Sequence, residues 1–272
     1  MLLDEESLLL LPTEEDLPYS DEKPVDHELQ LLAPLLLRSI LLLLWADRMD
    51  WFMGVNLGVY PFPYEPAIGL DAFLSLGVDR VRPENKLRLS YLVYRENVMP
   101  QWVLEVVSKK PGGEYGKKFD RYAEMGVLYY TIYNPSHTRR DKHETFEVYR
   151  LENGQYVRQL GNPIWMPEID LGIGHEVGTH ERISRDWLYW YDEEGNRYPA
   201  QEDALQQERI LRAQEQILRE RESLIRCEVE EQLATSQQTI ALRLLQQGVD
   251  LNIISQATGL SISELQNLQD AA

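Results

Sequence analysis

Cysteine and positive charge are both scarce in this chain of 272 residues. The single cysteine, Cys227, cannot form an internal disulfide, which excludes a disulfide scaffold and makes a reducing cytoplasm the expected compartment. Only 27 lysines and arginines stand against 45 acidic residues, and the formal net charge is −18. This deficit argues against a protein that binds nucleic acid over its whole surface, because such proteins are usually basic.

The sequence also lacks an uninterrupted apolar run that would predict a membrane helix. The longest run, residues 29–46, contains Pro34 and carries Arg38 near its centre. A central arginine costs about 2.5–3.5 kcal/mol on insertion, and the acidic N-terminus differs from a secretory signal, which starts positively charged. We therefore predict no membrane span and a buried helix over residues 26–47, with Asp26 as its N-cap.

Several common catalytic motifs are missing as well. The sequence contains no glycine-rich phosphate loop and no G-x-S-x-G elbow, which argues against P-loop NTPases and α/β-hydrolases. His175 and His180 lie five residues apart without the cysteines or helical context of a zinc site. Cys227 has no nearby histidine in the sequence, so we do not expect it to act as a nucleophile.

The negative charge is concentrated at the two ends of the chain. Residues 1–50 hold 12 acidic and 3 basic side chains, and residues 200–272 hold 12 and 6. Between Arg80 and Arg121, ten basic side chains outnumber five acidic ones. An anionic substrate is therefore expected to bind in this middle region. The loop at 137–143 holds two histidines and three basic residues, and its composition favours a solvated loop over a phosphate contact.

The apolar pattern of the first 200 residues predicts an α/β (α+β) domain. A helix is predicted from Glu114 to Met125, ended by Gly126 as the C′ residue, and glycine-containing turns at 152–154 and 194–196 predict two hairpins. Strand, helix and strand followed by hairpins favour a mixed sheet with flanking helices. The predicted strands cover residues 50–60, 68–78, 89–95, 101–108 and 127–133.

Beyond residue 200 the chain is predicted to be entirely helical. Residues 201–234 lack glycine and proline and carry an apolar pair every seven residues, which predicts a long polar helix. The pairs do not form a clean a/d heptad, so a short dimer seam and a stripe packed on the chain's own domain both remain open. Residues 235–272 predict three short helices similar to a helix-turn-helix, with a capping box from Ser261 to Glu264. Only one basic residue lies in this tail, which favours protein contact over DNA contact.

Asp71 and Glu105 are acidic residues inside predicted strands that are otherwise apolar. An ionised carboxylate is costly there unless it pairs with a cation or binds a metal, so a buried salt bridge and a functional site are the two interpretations. Two carboxylates on neighbouring strands are ligands that Mg²⁺ accepts. Glu114, Lys118 and Tyr122 follow at helical spacing and are expected to share one face of the next helix, from which Lys118 could orient a metal-bound water.

These residues, together with the segments around them, resemble the Uma-type restriction endonuclease family, which is abundant in cyanobacteria. The fold of that family is similar to the PD-(D/E)XK nucleases, so the resemblance implies a restriction-endonuclease-like mixed β-sheet flanked by helices. It covers roughly residues 10–200. The segments that carry it are LPYSDEKP, IGLDAFLSLGV, WVLEVVS, GEYGKKFDRYAEMGVLYYTIYNP and FEVYRLENGQY.

The resemblance implies roles for individual residues. Asp71 and Glu105 match the two metal carboxylates, with Mg²⁺ or Mn²⁺ as the cofactor. Val107 stands where the E-x-K motif has its lysine, and the family supplies that lysine from the following helix, here Lys118. Tyr122 matches a tyrosine on the same helix. The supporting candidates are His27 or Glu28 at the first helix and Glu114, and the local basic charge adds Lys109, Lys110, Lys117 and Arg121 as phosphate-binding candidates.

Two departures from the family pattern lie near these positions. Leu70 replaces the proline of the "PD" element, and Asn134 replaces an aspartate that is common after the last core strand. Neither departure removes one of the metal-binding carboxylates.

Two functional hypotheses follow. In the first, the protein is a Mg²⁺-dependent endonuclease that hydrolyses DNA phosphodiester bonds with a metal-activated water. In the second, it is a catalytically inactive nuclease-fold module that dimerises through its C-terminal helices, a hypothesis favoured by the valine at position 107. Related nucleases often dimerise to cut two strands, so a homodimer is expected. The predicted organisation is an arm (1–25), a nuclease-like domain (26–200), a long helix (201–234) and a helical tail (235–272).

Overall fold

The computed structural model describes residues 10–18 and 26–270. The chain separates into two compact units, the first ending at Ala204 and the second beginning at Leu205. Most of the predicted N-terminal arm, residues 1–9 and 19–25, lies outside the described residues. In the part that is described, Glu14 is buried and forms an ion pair with Arg82 at 2.8 Å.

The first unit is built on a seven-stranded mixed sheet with the strand order β3-β1-β2-β4-β5-β6-β7. The β4–β5 and β1–β3 pairs are parallel, and the other pairs are antiparallel. The strands are β1 (Trp51–Tyr60), β2 (Ile68–Leu76), β3 (Tyr91–Leu92), β4 (Trp102–Val106), β5 (Tyr129–Tyr133), β6 (Phe146–Glu152) and β7 (Gln155–Gln159).

Four α-helices and a second sheet complete the described part of this unit. The second sheet has three strands in the order β10-β9-β8. The helices are α1 (Leu29–Leu44), α2 (Val93–Glu96), α3 (Lys117–Met125) and α4 (Thr138–Asp141), with a 3₁₀ turn at Pro83–Asn85. The strands of the second sheet are β8 (Ile164–Met166), β9 (Leu171–His180) and β10 (Ile183–Tyr191).

Strand β4 separates two hydrophobic cores because its successive side chains point to opposite faces of the sheet. Trp102 and Leu104 belong to the core that contains α1 and the second sheet, whereas Val103 belongs to the core that contains α3. Trp102 is fully buried, donates a hydrogen bond to Thr131 Oγ1 at 2.8 Å and packs edge-on against Trp190. A central strand buried on both faces was predicted from its continuous apolar run, and this prediction is confirmed.

Helix α1 has its apolar side in the first of these cores, as predicted. Leu36, Leu37, Ile40 and Leu41 are at most 1% exposed, and Trp190 Nε1 donates a hydrogen bond to the carbonyl of Leu37 at 3.0 Å. Among the described residues, no helix combines the length and the apolar character that crossing a membrane requires.

The N-cap and the edge strand differ from the sequence predictions. Glu28, not Asp26, holds the cap position of α1, and no side chain caps it. Asp26 lies two residues before the cap, where its backbone amide donates to Gln30 Oε1 at 3.0 Å. The strand predicted over 89–95 is only two residues long, β3, and the chain continues as the single helical turn α2. Glu96, the last residue of α2, forms ion pairs with Arg82 and Arg88, which stabilise the turn.

The second predicted hairpin forms only in part. Tyr191 and Arg197 form an isolated antiparallel bridge, and the Tyr198 amide donates to the Trp190 carbonyl at 2.9 Å, but residues 197 and 198 do not form a strand. The long hairpin of this region is β9–β10, and its turn residues Glu181 and Arg182 both have positive φ, 49° and 66°. Such turns usually carry Asn-Gly, and no glycine marks this turn in the sequence. The Glu181 amide instead gains a hydrogen bond to Glu202 Oε1 at 2.9 Å.

The second unit is helical, with α5 (Gln201–Gln246), α6 (Leu251–Thr258) and α7 (Ile262–Asp270). Helix α5 runs 12 residues beyond the predicted end at 234, so the first of the three predicted short helices is its last part. Ala241, Ile254 and Leu265 form a small core between the three segments. The predicted capping box is confirmed, because Ser261 and Glu264 exchange hydrogen bonds at 2.7 and 3.3 Å.

Candidate active site

Asp71 and Glu105 lie side by side where β2 and β4 separate. The antiparallel register pairs Ala72 with Leu104, and one further step places Asp71 opposite Glu105. The hydrogen-bond ladder between the two strands ends here, so the Val106 amide has no partner on the β2 backbone. It donates instead to Oδ2 of the Asp71 carboxylate at 2.7 Å. The two carboxylates predicted on neighbouring strands therefore meet at one end of the strand pair.

Both oxygens of the Glu105 carboxylate have a partner on helix α3. Lys118 Nζ donates to Oε2 at 2.7 Å, and the Tyr122 hydroxyl donates a short hydrogen bond to Oε1. Glu105 is 2% exposed, whereas 30% of the Lys118 side chain remains accessible. The carboxylate is thus fixed from inside the protein, and the ammonium faces the solvent side of the site.

Local sequence explains why α3 presents these two side chains. The Gly112-Gly113 turn follows β4, and the Gly113 carbonyl accepts from the Lys118 amide at 3.0 Å at the start of the helix. Lys118 and Tyr122 are four residues apart and therefore share one face. Gly126 ends the helix with φ at +84°, a conformation that glycine adopts without steric cost. The chain can then turn back into β5, parallel to β4.

The candidate site holds two acidic side chains, and the positive charge of Lys118 is too small to balance both of them. Burial raises the pKa of Asp71 to about 6, although the Val106 amide and Lys118 oppose the rise. Burial raises the pKa of Glu105 to about 7, with Lys118 opposing and Asp71 adding to the effect. Burial would lower the pKa of Lys118, but the nearby Glu105 and Asp71 raise it. One ammonium does not compensate two buried carboxylates.

Gln30, near the start of α1, is a site residue that the sequence predictions missed. Its Nε2 lies 3.5 Å from Asp71 Oδ1 and 3.3 Å from the carbonyl oxygen of Val106. Between Glu28 and Arg38 it is the only polar side chain in an apolar run. A lone polar residue in the first turn of a buried helix was the signal that could have identified it.

Comparison with known proteins places these observations in a family. A family model named Uma2 and described as "Putative restriction endonuclease" matches residues 10–175. The chain belongs to this family. The resemblance and the fold class predicted from the sequence are therefore confirmed, since the mixed sheet with flanking helices is the architecture that was expected.

A second family model and one solved structure are also similar to the chain. The model for the C-terminal HTH domain of the Rpn/YhgA-like nuclease family matches residues 235–270. Among solved structures, the chain is similar to one described as a "putative nuclease belonging to DUF820" from Anabaena variabilis. The identity is 14%, 60% of this chain and 88% of that chain are covered, and the TM-score is 0.39. No curated protein matched.

His27 and Glu28, the supporting candidates at the first helix of this Uma2 member, form hydrogen bonds through their backbone carbonyls at the start of α1. The carbonyls of His27 and Glu28 accept from the amides of Gln30 and Leu31 at 3.1 and 3.0 Å. Glu28 is exposed and His27 is half-buried. In the part of the chain that the structure describes, neither side chain contacts the two carboxylates, and Gln30 makes the contact from this helix.

Glu114 does not lie on the α3 face where it was predicted. The helix begins at Lys117, so Glu114 belongs to the preceding turn, where its Oε2 accepts from the Gly112 amide at 3.0 Å. Glu114 follows the Gly112-Gly113 turn directly and lies before the first helical residue, so the i, i+4 spacing to Lys118 does not apply to it. Glu114 is nevertheless 5% exposed and contributes to raising the pKa of Asp71 and of Lys118.

The phosphate-binding candidates lie around the site without touching its carboxylates. Lys109, Lys110 and Lys117 have exposed side chains. Arg121 forms ion pairs with Glu65 at 2.5 Å and with a neighbouring residue on α3. Their exposure leaves the three lysines accessible to a large anion.

His175 and His180, the histidine pair considered above, are separated in the structure. Among residues 10–18 and 26–270, no group of three or more His, Cys, Asp or Glu side chains converges on one point. His175 and His180 are an odd number of residues apart on β9, so they point to opposite faces. Each has its own acid, Asp186 at 2.7 Å and Glu202 at 3.2 Å.

Proposed function

We propose that this chain is a metal-dependent endonuclease that hydrolyses phosphodiester bonds in DNA, and that it acts in the cytoplasm. The observation that carries the proposal is the convergence of Asp71, Glu105 and Lys118. Membership of a restriction endonuclease family supports the nuclease class. The hydrolysis mechanism and its metal rest on the geometry of these three side chains.

The residues present fit a divalent cation. Two carboxylates and the Val106 carbonyl form an all-oxygen set, and Mg²⁺ prefers oxygen ligands, typically one or two carboxylates with the rest waters. The raised pKa of both acids means that a cation between them would favour their ionised forms. We infer that Asp71 and Glu105 hold Mg²⁺, for which Mn²⁺ can substitute. When bound, the metal lowers the pKa of a coordinated water and offsets charge on the phosphate.

The chain's own residues supply the remaining functions. Lys118 remains accessible beside Glu105, where its ammonium can hydrogen-bond the attacking water or a phosphate oxygen as negative charge develops. Tyr122 and the Val106 amide fix the orientations of the two carboxylates. The exposed lysines at 109, 110 and 117 are placed to meet the neighbouring DNA backbone, which compensates for the acidity of the chain as a whole.

Replacing Asp71 with asparagine tests this function. Asp71→Asn removes one anionic ligand, and we expect it to abolish the Mn²⁺ binding isotherm in calorimetry. Nicking of supercoiled plasmid in Mg²⁺ should fall by about 10²-fold or more. Asp79→Asn, at an exposed carboxylate, is the matched control and should bind and cut as the wild type does. Plasmid nicking at the wild-type rate by Asp71→Asn would disprove the assignment.

The second candidate function is an inactive nuclease-fold binding module. Val107 in place of the usual lysine favours it, since this position is buried among apolar side chains. The Lys118 ion pair with Glu105 argues against it, because the ammonium is present although it comes from another element. A wild-type protein that binds DNA but shows neither Mn²⁺ binding nor cleavage would establish this second function.

We also propose that α5 forms an antiparallel homodimer. Nine apolar side chains between positions 205 and 233 are 48–66% exposed, an unusually large apolar stripe for a surface helix. Residues 201–219 hold four acidic and three basic side chains, whereas residues 220–234 hold five acidic and two basic ones. Antiparallel pairing with a second copy therefore keeps the two more acidic halves apart, whereas parallel pairing would place them together.

The oligomeric state tests this pairing. Light scattering of the full chain should give the mass of a dimer, and Ile217→Glu should give a monomer because it introduces charge into the stripe. Gln216→Glu adds the same charge on another face and should leave the dimer intact. Spin labels on the exposed Cys227 should lie about 20 Å apart along the axis in the antiparallel dimer. A monomeric wild type, or labels directly opposite each other, would contradict the proposal.

A further inference from the structure

A second buried carboxylate lies on the same face of the sheet as Glu105. The register across β4, β5 and β6 aligns Glu105, Ile132 and Glu147 in one row, so the three side chains point to the same face. Neighbouring strands are about 5 Å apart, which puts the two acidic positions about 10 Å apart. Glu147 is 2% exposed, and the proposed hydrolysis does not use it.

The Glu147 carboxylate hydrogen-bonds the ring of His143. His143 Nδ1 lies 3.1 and 3.2 Å from the two oxygens of its carboxylate. The Tyr149 hydroxyl donates to the same carboxylate at 2.7 Å and the Glu144 amide at 3.1 Å, and Arg158 lies 3.7 Å away. A buried acid with this many donors is a rigid anchor for the imidazole ring.

The ring of His143 is fixed in orientation, and its Nε2 has no hydrogen-bond partner among the described residues. It stacks on Tyr115 with the centroids 3.6 Å apart and the planes 6° from parallel. The Tyr115 hydroxyl accepts from the buried amide of Asn134 at 3.2 Å. The His143 side chain is 35% exposed, and no described residue bonds its Nε2. Nδ1 is therefore held from inside, and Nε2 is offered to a ligand.

The histidine belongs to the same surface as the candidate active site. Arg140 of α4 donates to the carbonyls of Ser108 and Lys109 at 3.1 and 2.5 Å, which ties its segment to the loop that follows Glu105. Both segments follow the carboxyl ends of the parallel strands β4 and β5, the end of such strands at which ligands commonly bind. Arg139 and Lys142 add exposed positive charge beside the ring.

We propose that His143, positioned by Glu147 and Tyr115, binds a backbone phosphate of the DNA strand held at the candidate active site. The inference rests on the proposed nuclease function and adds a phosphate contact beyond the cleaved bond. Because the Glu105 and Glu147 positions are about 10 Å apart, we expect this phosphate to lie close to the cleaved bond on the same strand. When protonated, His143 donates to a phosphate oxygen through Nε2 while Nδ1 donates to Glu147.

The contact has a pH signature. An imidazole donates hydrogen bonds from both ring nitrogens only in its protonated form, so we expect the phosphate contact to be stronger at acidic than at alkaline pH. The charged and titratable groups facing the ring are Glu147, Tyr149, Arg158, Glu144 and Tyr115. Glu147 is the acid bonded directly to the ring, through His143 Nδ1.

The test compares His143→Gln with His137→Gln, a substitution in the same loop. DNA affinity is measured by anisotropy with a labelled duplex, at acidic and alkaline pH and over a range of salt. At acidic pH, His143→Gln should weaken binding about five- to tenfold and reduce the slope of log K against log salt by about 1. At alkaline pH the two variants and the wild type should coincide. The KM for cleavage should follow the affinity, with kcat changed less than twofold.

Two outcomes would overturn the inference in distinguishable ways. If wild type cuts DNA and His143→Gln keeps its affinity and salt slope at acidic pH, the phosphate contact is wrong and the nuclease function stands. If wild type neither binds nor cuts DNA, the nuclease function fails and the phosphate contact fails with it. Circular dichroism of each variant shows whether the fold is kept, and Glu147→Gln, which retains the hydrogen-bonding shape, should weaken the same pH-dependent contact.

Discussion

Lys118→Met is expected to lower the cleavage rate by about 10²–10³-fold, the usual cost of removing one preorganised donor from a developing negative charge. The ammonium lies 2.7 Å from Glu105 and is accessible on the side where a phosphate would approach. Methionine keeps the length of the side chain, so the helix should remain in place. The measurement is single-turnover cleavage of a DNA duplex in Mg²⁺, with Mn²⁺ binding followed by calorimetry.

Two further variants separate the charge from the geometry. Lys118→Arg keeps the cation and should recover part of the rate. Lys117→Met removes the same charge one position earlier, at an exposed side chain, and should change KM at most severalfold with kcat nearly unaffected. Cleavage by Lys118→Met at the rate of Lys117→Met would show that this ammonium takes no part in the reaction.

Glu105→Gln is expected to stabilise the fold at alkaline pH while it abolishes cleavage. In the folded chain, burial raises the pKa of Glu105 to about 7, compared with about 4.3 for a solvated glutamate. Between these values the folded state binds more protons than the unfolded state, so stability falls as the pH rises. Above pH 7 the ionised carboxylate costs on the order of 3 kcal/mol, and glutamine removes that cost.

Urea unfolding of both proteins at pH 4 and pH 8 measures the effect. The free energies of unfolding should be similar at pH 4, where Glu105 is protonated in the folded state and mostly protonated in the unfolded state. At pH 8 the variant should be more stable. Glu152→Gln, at a half-buried acid on β6, controls for the loss of one negative charge. A difference between variant and wild type that does not depend on pH would contradict the argument.

The central part of the site could be predicted from sequence because its residues break a strong local pattern. A carboxylate inside WVLEVVS is conspicuous, and the apolar residues around it fix both the strand and its burial. Asp71 is placed by the same reasoning in IGLDAFLSLGV. The register that brings Asp71 opposite Glu105 could not be derived in this way, because it depends on pairing between strands that are distant in the chain.

The residues that were wrongly placed or missed lie where backbone geometry, and not the side-chain pattern, determines the local structure. Glu114 has helical spacing to Lys118, but the glycines before it start the helix three residues later. Gln30 reaches the site because α1 begins beside the end of β4, a tertiary arrangement that sequence spacing does not encode. The β9–β10 turn places Glu181 and Arg182 in a conformation that their side chains disfavour, so no turn signal was present.

The second sheet has a consequence for how this protein can be divided. The family match ends at residue 175, in the middle of β9, whereas Trp187 and Trp190 of β10 are fully buried and Trp190 bonds the backbone of α1. A chain truncated at the end of the family match would lose half of β9 and all of β10, and would uncover the apolar side of α1, from which Gln30 reaches Asp71. The unit of sequence similarity is thus smaller than the unit of folding, and a minimal folded fragment must extend to about residue 200.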